Sequence, residues 1–234
     1  MTKAPVPEVL PTVAMLATAA LDFPGLTLKQ SPEALVVYSA QPLTVLSSTE
    51  VGGGLTRVRY LVNRHVRRDY DCADPSADLV AFARGQGIHE AFVGQMTAVL
   101  LQTAQVQTLR ADDLTVAIVL TAGLGNATAA GLSPPATARP GTINMMLFID
   151  ACLTPAALVN AVITATEAKT QVVLASRART PEGTAATGTS TDAIAIASTG
   201  RGPILPYAGP VTPVGWLIGR CVRTALAAAL THTL

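Results

Sequence analysis

A threonine hydroxyl is a weak nucleophile until a base takes its proton. One route to a base is to free the residue's own α-amine by cutting the peptide bond before it. The segment PGTIN sets Thr142 directly after Gly141, and a glycine there leaves the access such a cut requires. Most Gly-Thr pairs simply open a strand, so the dipeptide gains meaning only from its surroundings. Two carboxylates are candidates for moving the proton. Glu167 is the only carboxylate in a long apolar stretch, where a low-dielectric cleft would suit it to proton transfer. Asp192 ends a run of glycines and hydroxyls, GTAATGTSTDA (183–193), where its ordinary role is a turn residue bonded to nearby backbone. In TAGLGNATAAG (121–131), the backbone N–H groups of Ala122 and Gly123 and the side chain of Asn126 can donate to an oxyanion. The plain alternative is a glycine turn that ends a strand.

A second polar pattern lies on the stretch after Thr154. Asn160, Thr164, Glu167 and Gln171 recur at helical spacing and form one stripe at about 100° per residue, while Lys169 points to the opposite side. A polar stripe on a buried helix needs partners, because each unpaired group costs about 1–3 kcal/mol. Two readings are open: the stripe bonds neighbouring loops, or it lines a cleft. The segment NRHVRRDYDCADP (63–75) gathers Asn63, Arg64, His65 and Asp69, and His65 is the histidine best placed for a site. A lone histidine on a strand is more often structural.

These residues sit in an apolar, weakly charged chain of 234 residues. Half of them are hydrophobic and the mean hydropathy is +0.42, enough for a substantial core. The net charge of +1 and the 4% of aromatics argue against a nucleic-acid partner. Cys72, Cys152 and Cys221 are odd in number and far apart, which predicts reduced thiols and a cytoplasmic protein. Neither they nor the three histidines have metal-ligand spacing, so no metal is expected. The apolar stretch Val9–Leu21 is too short to cross a bilayer and follows a single Lys3, so no membrane partner is expected. Self-association is left open.

The pattern predicts a mixed α/β fold, one mixed β-sheet with flanking helices. Residues 1–33 read as an N-terminal extension and 34–234 as a single domain. Residues 35–66 read as strands, with a hairpin at Gln41-Pro42 and a turn at VGGGL. Asp74 and Pro75 open a helix. Residues 103–121 form a second hairpin about RADD. TINMMLFID is a strand, and Thr154-Pro155 opens a helix of about five turns. DAIAIAS is the next strand, so strand–helix–strand predicts a right-handed crossover between parallel neighbours. An amphipathic helix ends the chain.

Taken together, LSSTEVGGGL, VNRHVRRDYDCADP, VGQMTA, TAGLGNATAAG, PGTINMMLFIDACLTPAALVNAVITATEAKT and ATGTSTDAIAIASTGRGPILPYAGPVTPVGWLIGR resemble, in that order, the adenosylcobinamide amidohydrolases of corrinoid salvage. The resemblance covers about residues 43–226. It implies hydrolysis of the amide that joins the aminopropanol arm to the corrin ring, giving adenosylcobyric acid and 1-amino-2-propanol. The corrinoid is then a small-molecule substrate, and no cofactor is implied. A more distant likeness, from Thr142 to Asp150 and through LTPAALVNAV to GTSTDAIAIA, is to the second half of bifunctional ornithine acetyltransferases. It implies a nucleophile at Thr142, released by self-cleavage, and an oxyanion segment near Ala122 and Gly123. The cleavage-site alanine of that family is Gly141 here, and its intervening segment is much longer.

On this reading Thr142 attacks, Ala122, Gly123 and Asn126 steady the oxyanion, and Glu167 or Asp192 handles protons. The amide-fringed corrin is met by Asn144, Asn160, Thr164 and His65, and by Thr187, Thr189, Ser190 and Thr191 of the small-residue run. The rival readings are a non-catalytic corrinoid-binding module and a kinase-like phosphate cradle. The second lacks any GxxxxGK[ST] segment.

Overall fold

The computed structural model describes residues 16–17, 21–135 and 142–231. Strands β1 (Leu16–Ala17), β2 (Leu26–Gln30), β3 (Ala34–Ser47) and β4 (Gly54–His65) lead to helix α1 (Pro75–Gly85). Strands β5 (Phe92–Thr97), β6 (Gln105–Ala111), β7 (Leu114–Ala122), β8 (Ala127–Thr128), β9 (Ile143–Ile149) and β10 (Cys152–Leu153) precede helix α2 (Pro155–Ala175). Strands β11 (Gly188–Thr189), β12 (Ala193–Ser198) and β13 (Ile204–Leu205) precede helix α3 (Pro213–Thr231). Nine strands form one mixed sheet in the order β1-β6-β7-β9-β12-β3-β4-β5, with β2 added beside β3. The expected mixed α/β class is what the chain adopts.

The strand–helix–strand unit is present. β9 and β12 pair in parallel, with Asn144 beside Ala193, and α2 joins them. Thr154 caps α2 by accepting from the Ala157 amide, as Asp74 caps α1. The β6–β7 hairpin turns at Asp112, which takes φ of 49°.

The expected hairpin at Gln41-Pro42 is not there. β3 is one strand with a wide bulge: Tyr38 opposes Tyr60 and Leu43 opposes Val58, so residues 39–42 face Arg59 alone. Pro42 has no N–H to give a ladder, and a bulge is where a strand tolerates that.

This bend folds the sheet onto itself. Asn63 on β4 bonds Thr121 on β7, although three strands separate β4 from β7 in the sheet order. Between the two halves lies an apolar layer that includes Val37, Leu61, Val93, Val119, Met146 and Phe148. The other face of β7, β9 and β12 packs on α2 and α3. β9 is buried along its whole length, so both of its faces are core. α1 covers the outer side of β4 and β5. By length and composition α3 could cross a membrane, yet ten of its nineteen residues are buried inside the protein. Residues 22–30 are tied into this body: Phe23 and Leu26 join the inner layer, and Arg110 pairs with Asp22 at 2.9 Å.

Candidate active site

Period-two alternation explains why polar groups collect at one end of the inner layer. On β9, Asn144 shares a face with Met146 and Phe148; on β4, Asn63 follows Leu61; on β5, Gln95 follows Val93. Thr142 stands one step before β9 and is 2% exposed. Its hydroxyl proton has two acceptors, the Thr191 carbonyl at 2.6 Å and Asn144 Oδ1 at 2.9 Å. Its own carbonyl accepts from the Gly123 amide at 3.0 Å.

Asp192 enters from the start of β12. Its Oδ1 accepts from the Ile143 amide at 3.2 Å, from the Thr189 amide at 3.2 Å and from the Thr189 hydroxyl at 2.5 Å. Its Oδ2 pairs with Lys169 Nζ at 2.5 Å, and the two side chains are only 18% and 11% exposed. Ile143 is the residue whose N–H would begin the β9–β12 ladder, so Asp192 fixes the backbone next to Thr142. Gly188 lies against the ion pair. A Cβ there would sit 2.5 Å from Asp192 Oδ2 and 2.7 Å from Lys169 Nζ. A glycine at 188 is what lets the pair form.

The structure therefore brings together Thr142, Asn144, Gly123, Asn126, Asp192 and the 187–191 run. Asn126 donates to the hydroxyls of Ser190 at 2.9 Å and Thr191 at 3.2 Å, and β8 pairs with β11. Ala122 ends β7 opposite Ile143. The hydroxyl run spends its groups on the protein: Thr187 Oγ1 accepts from the Ala130 amide and Thr189 holds Asp192. Asn144 is 1% exposed and faces inward, not toward solvent. Gly141 lies outside the described residues, and with it the Gly141–Thr142 junction.

Other expected residues fall elsewhere. Of the Asn160/Thr164/Glu167/Gln171 stripe, the last three face the loop before α3 and α3 itself. Thr164 donates to the Ala208 carbonyl at 2.9 Å, Gln171 bonds Arg223, and Glu167 lines a shallow hollow with Trp216 and Arg220. Of the two readings of the stripe, loop bonding describes Thr164, while Gln171 is bonded to helix α3. The opposite side of α2, marked in the sequence by Lys169, reaches the Thr142 cluster. His65 ends β4 opposite Thr97, two residues beyond Asn63.

Sequence reasoning left Lys169, Asn63 and Gln95 outside the site. A lone lysine inside an apolar helix was the signal for Lys169. Asn and Gln at inward positions of two strands were the signal for the others.

A cavity of about 390 Å³ lies against the cluster. Thr49, Glu50, Tyr70, Ser76, Thr97 and Thr191 are among the residues of its wall. Thr142 is bonded to the carbonyl of Thr191 and, through Asn144, to that of Met96, which also lines the cavity. The nucleophile candidate thus stands one residue layer beneath the wall. Three contacts fix α1 at the rim: Ser76 donates to Glu50 at 2.9 Å, and Asp78 takes the Tyr70 hydroxyl and the Arg64 guanidinium, each at 2.7 Å. The Tyr70 bond, then Arg64, hold the Asp78 carboxyl below its ordinary pKa, and burial with the same bond pushes the Tyr70 phenol up. Among the described residues no three His, Cys, Asp or Glu gather as a metal site.

The chain was compared with known proteins. The family model of adenosylcobinamide amidohydrolase matches residues 23–234. A Methanosarcina mazei protein named adenosylcobinamide amidohydrolase is 35% identical over 192 residues, which covers 78% of this chain and 88% of that protein. A Halobacterium salinarum protein of the same name is 38% identical over 122 residues, 49% of this chain and 50% of its own. Among solved structures, the PH0078 protein of Pyrococcus horikoshii OT3 aligns with a TM-score of 0.50 at 12% identity, covering 94% of this chain and 83% of that one. That likeness concerns the fold alone. With the family match running from residue 23 to the end and the Methanosarcina relative matched over most of its length, the chain belongs to the adenosylcobinamide amidohydrolase family and is an amide hydrolase.

Proposed function

We propose that this chain hydrolyses the aminopropanol amide of adenosylcobinamide, with Thr142 as nucleophile, and releases adenosylcobyric acid and 1-amino-2-propanol for corrinoid salvage. The observation that carries this reading is the meeting of Thr142, Asp192 and Lys169 from three separate segments beneath the wall of one cavity.

In the proposed reaction Thr142 Oγ1 attacks the amide carbonyl carbon, and the hydroxyl proton passes to a base. Asp192 is preferred to Glu167 for proton handling because it is bonded to the peptide group that follows Thr142. If the chain is cut before Thr142, the new α-amine is the nearer base. The oxyanion takes N–H donors that the protein now spends on itself, those of Gly123 and Asn126. The carbon–nitrogen bond then breaks, the amine leaves with a proton, and an ester remains on Thr142. Water hydrolyses that ester to the acid and restores the hydroxyl. The cavity, near the lower end of the range of about 300–1,000 Å³ for small-molecule sites, takes the arm, and the macrocycle stays outside.

The test is to incubate the purified protein with adenosylcobinamide and follow both products by mass spectrometry. Equimolar adenosylcobyric acid and 1-amino-2-propanol are expected. Adenosylcobinamide bound but recovered intact would leave the non-catalytic binding module in its place.

A further inference from the structure

Two carboxamides behind Thr142 form a one-way chain of hydrogen bonds. Asn144 Nδ2 donates to Asn63 Oδ1 at 3.0 Å and to the Met96 carbonyl at 2.9 Å. Asn63 Nδ2 donates to Thr121 Oγ1 at 3.0 Å. The sense of the chain is fixed by Met96. A backbone carbonyl only accepts, so the atom of Asn144 that faces it must be the nitrogen. The oxygen of Asn144 is then the atom left for Thr142, and the Thr142 hydroxyl must donate to it. Thr191 presents a second carbonyl to the same hydroxyl, and it too can only accept. Asn144 lies beneath Thr142 whereas Thr191 lines the cavity, so the one hydroxyl proton is shared between these two acceptors and the lone pairs of Oγ1 are spent on neither.

This is an uncommon use of core space. Asn63 is 2% exposed, Asn144 1% and Gln95 3%, all in a layer that is otherwise apolar between the sheet halves. Gln95 donates to the Met145 carbonyl, but its Oε1 is buried with no hydrogen-bond partner. Three buried carboxamides, one incompletely bonded, cost stability that Leu or Val would not.

We propose that Asn144, oriented by Asn63 and the Met96 carbonyl, is a positioning residue that turns the Thr142 hydroxyl proton away from the substrate and presents the oxygen's lone pairs to it. The proposal rests on Thr142 being the nucleophile. Neither asparagine touches the substrate in this account, so kcat should move and KM should not.

The decisive variant is Asn144→Asp. As a neutral acid its one O–H donates to the Met96 carbonyl and its other oxygen accepts from Thr142, which keeps the orientation toward Thr142 at the loss of the bond to Asn63. Once ionised it sets a carboxylate against that carbonyl. The charged and titratable groups on the elements packed around it are Arg57, Arg59, Tyr60, Arg64 and His65 on β4 and the Asp192–Lys169 pair, and wild type and variant share them. Burial as deep as that of Asn144 raises a carboxyl's pKa well above its ordinary range, so the ratio of kcat between Asn144→Asp and wild type, assayed with adenosylcobinamide, should fall at least about tenfold between about pH 6 and pH 9, with KM nearly constant. A flat or rising ratio overturns the proposal. If Asn144→Asp does not fold, by circular dichroism, Asn63 decides. Asn63→Leu should lower kcat about 10–100-fold at unchanged KM, and Asn63→Asp, which still accepts from Asn144, should restore most of it. Wild-type kcat in Asn63→Leu overturns the proposal. A Thr142→Ala control separates the layers: full turnover there overturns the nucleophile reading itself, whereas loss of turnover there with a flat pH ratio overturns only the positioning role.

Discussion

At the scale of single residues, the account turns on Lys169, Asp192 and Gly188. Removing one partner of a mostly buried ion pair strands the other charge, at a cost of about 3–5 kcal/mol. Lys169→Met is therefore expected to lower the urea midpoint markedly, and the double variant Lys169→Met/Asp192→Leu to recover part of it. Gly188→Ala tests the same pair by volume alone, since its methyl would overlap both charged atoms. It should lose activity while keeping its far-ultraviolet circular dichroism. Full activity in Gly188→Ala would show that the ion pair is not needed where it stands. Residue types in the sequence pointed to Thr142, Asp192 and Gly123, because nucleophile, carboxylate and glycine turn are local signatures. Helical spacing also showed that Lys169 opposes the Glu167 stripe. It could not show which side met the site, because that depends on where the 183–192 run lands, and only the fold decides it.

At the scale of elements, the close approach of α2 to its neighbours depends on small side chains. Ala157, Ala161, Ala165 and Ala168 are all buried on this helix. Ala165→Leu should overpack the contact and cost about 1–3 kcal/mol, measured by urea unfolding. Stability unchanged by that substitution would contradict the packing described. The strand–helix–strand unit was legible because its signals are short-range: Thr154 and Pro155 at the helix start, and apolar runs on either side. The bulge in β3 was not, because Pro42 after Gln41 reads as turn punctuation whether the chain reverses or merely kinks. Nor was the folding of the sheet onto itself. It rests on contacts such as Asn63 with Thr121 and with Asn144, which no window along the chain contains.

At the scale of the molecule, α1 closes the cavity from outside and is clamped by Arg64, Tyr70 and Asp78. The sign of its pH dependence follows from the direction of the Asp78 shift. A carboxyl held below its ordinary value binds its proton more weakly folded than unfolded. Its contribution is complete above the unfolded value of 3.8 and is lost as pH falls through the lower folded value. Asp78→Asn should thus unfold at lower urea than wild type at pH 7, and the gap should narrow as pH drops below about 4. A gap that stays constant over that range would exclude the clamp. The sheet, the clamp and the 183–192 run all bear on the one hydroxyl beneath the cavity wall. The most direct measurement is the turnover of adenosylcobinamide by Thr142→Ala, with wild-type samples quenched in acid and digested to look for a corrinoid acyl group on the peptide that carries Thr142. The account predicts turnover reduced by about 10³-fold or more in the variant and an acyl adduct at Thr142 in the wild type. Undiminished product release by Thr142→Ala would contradict it.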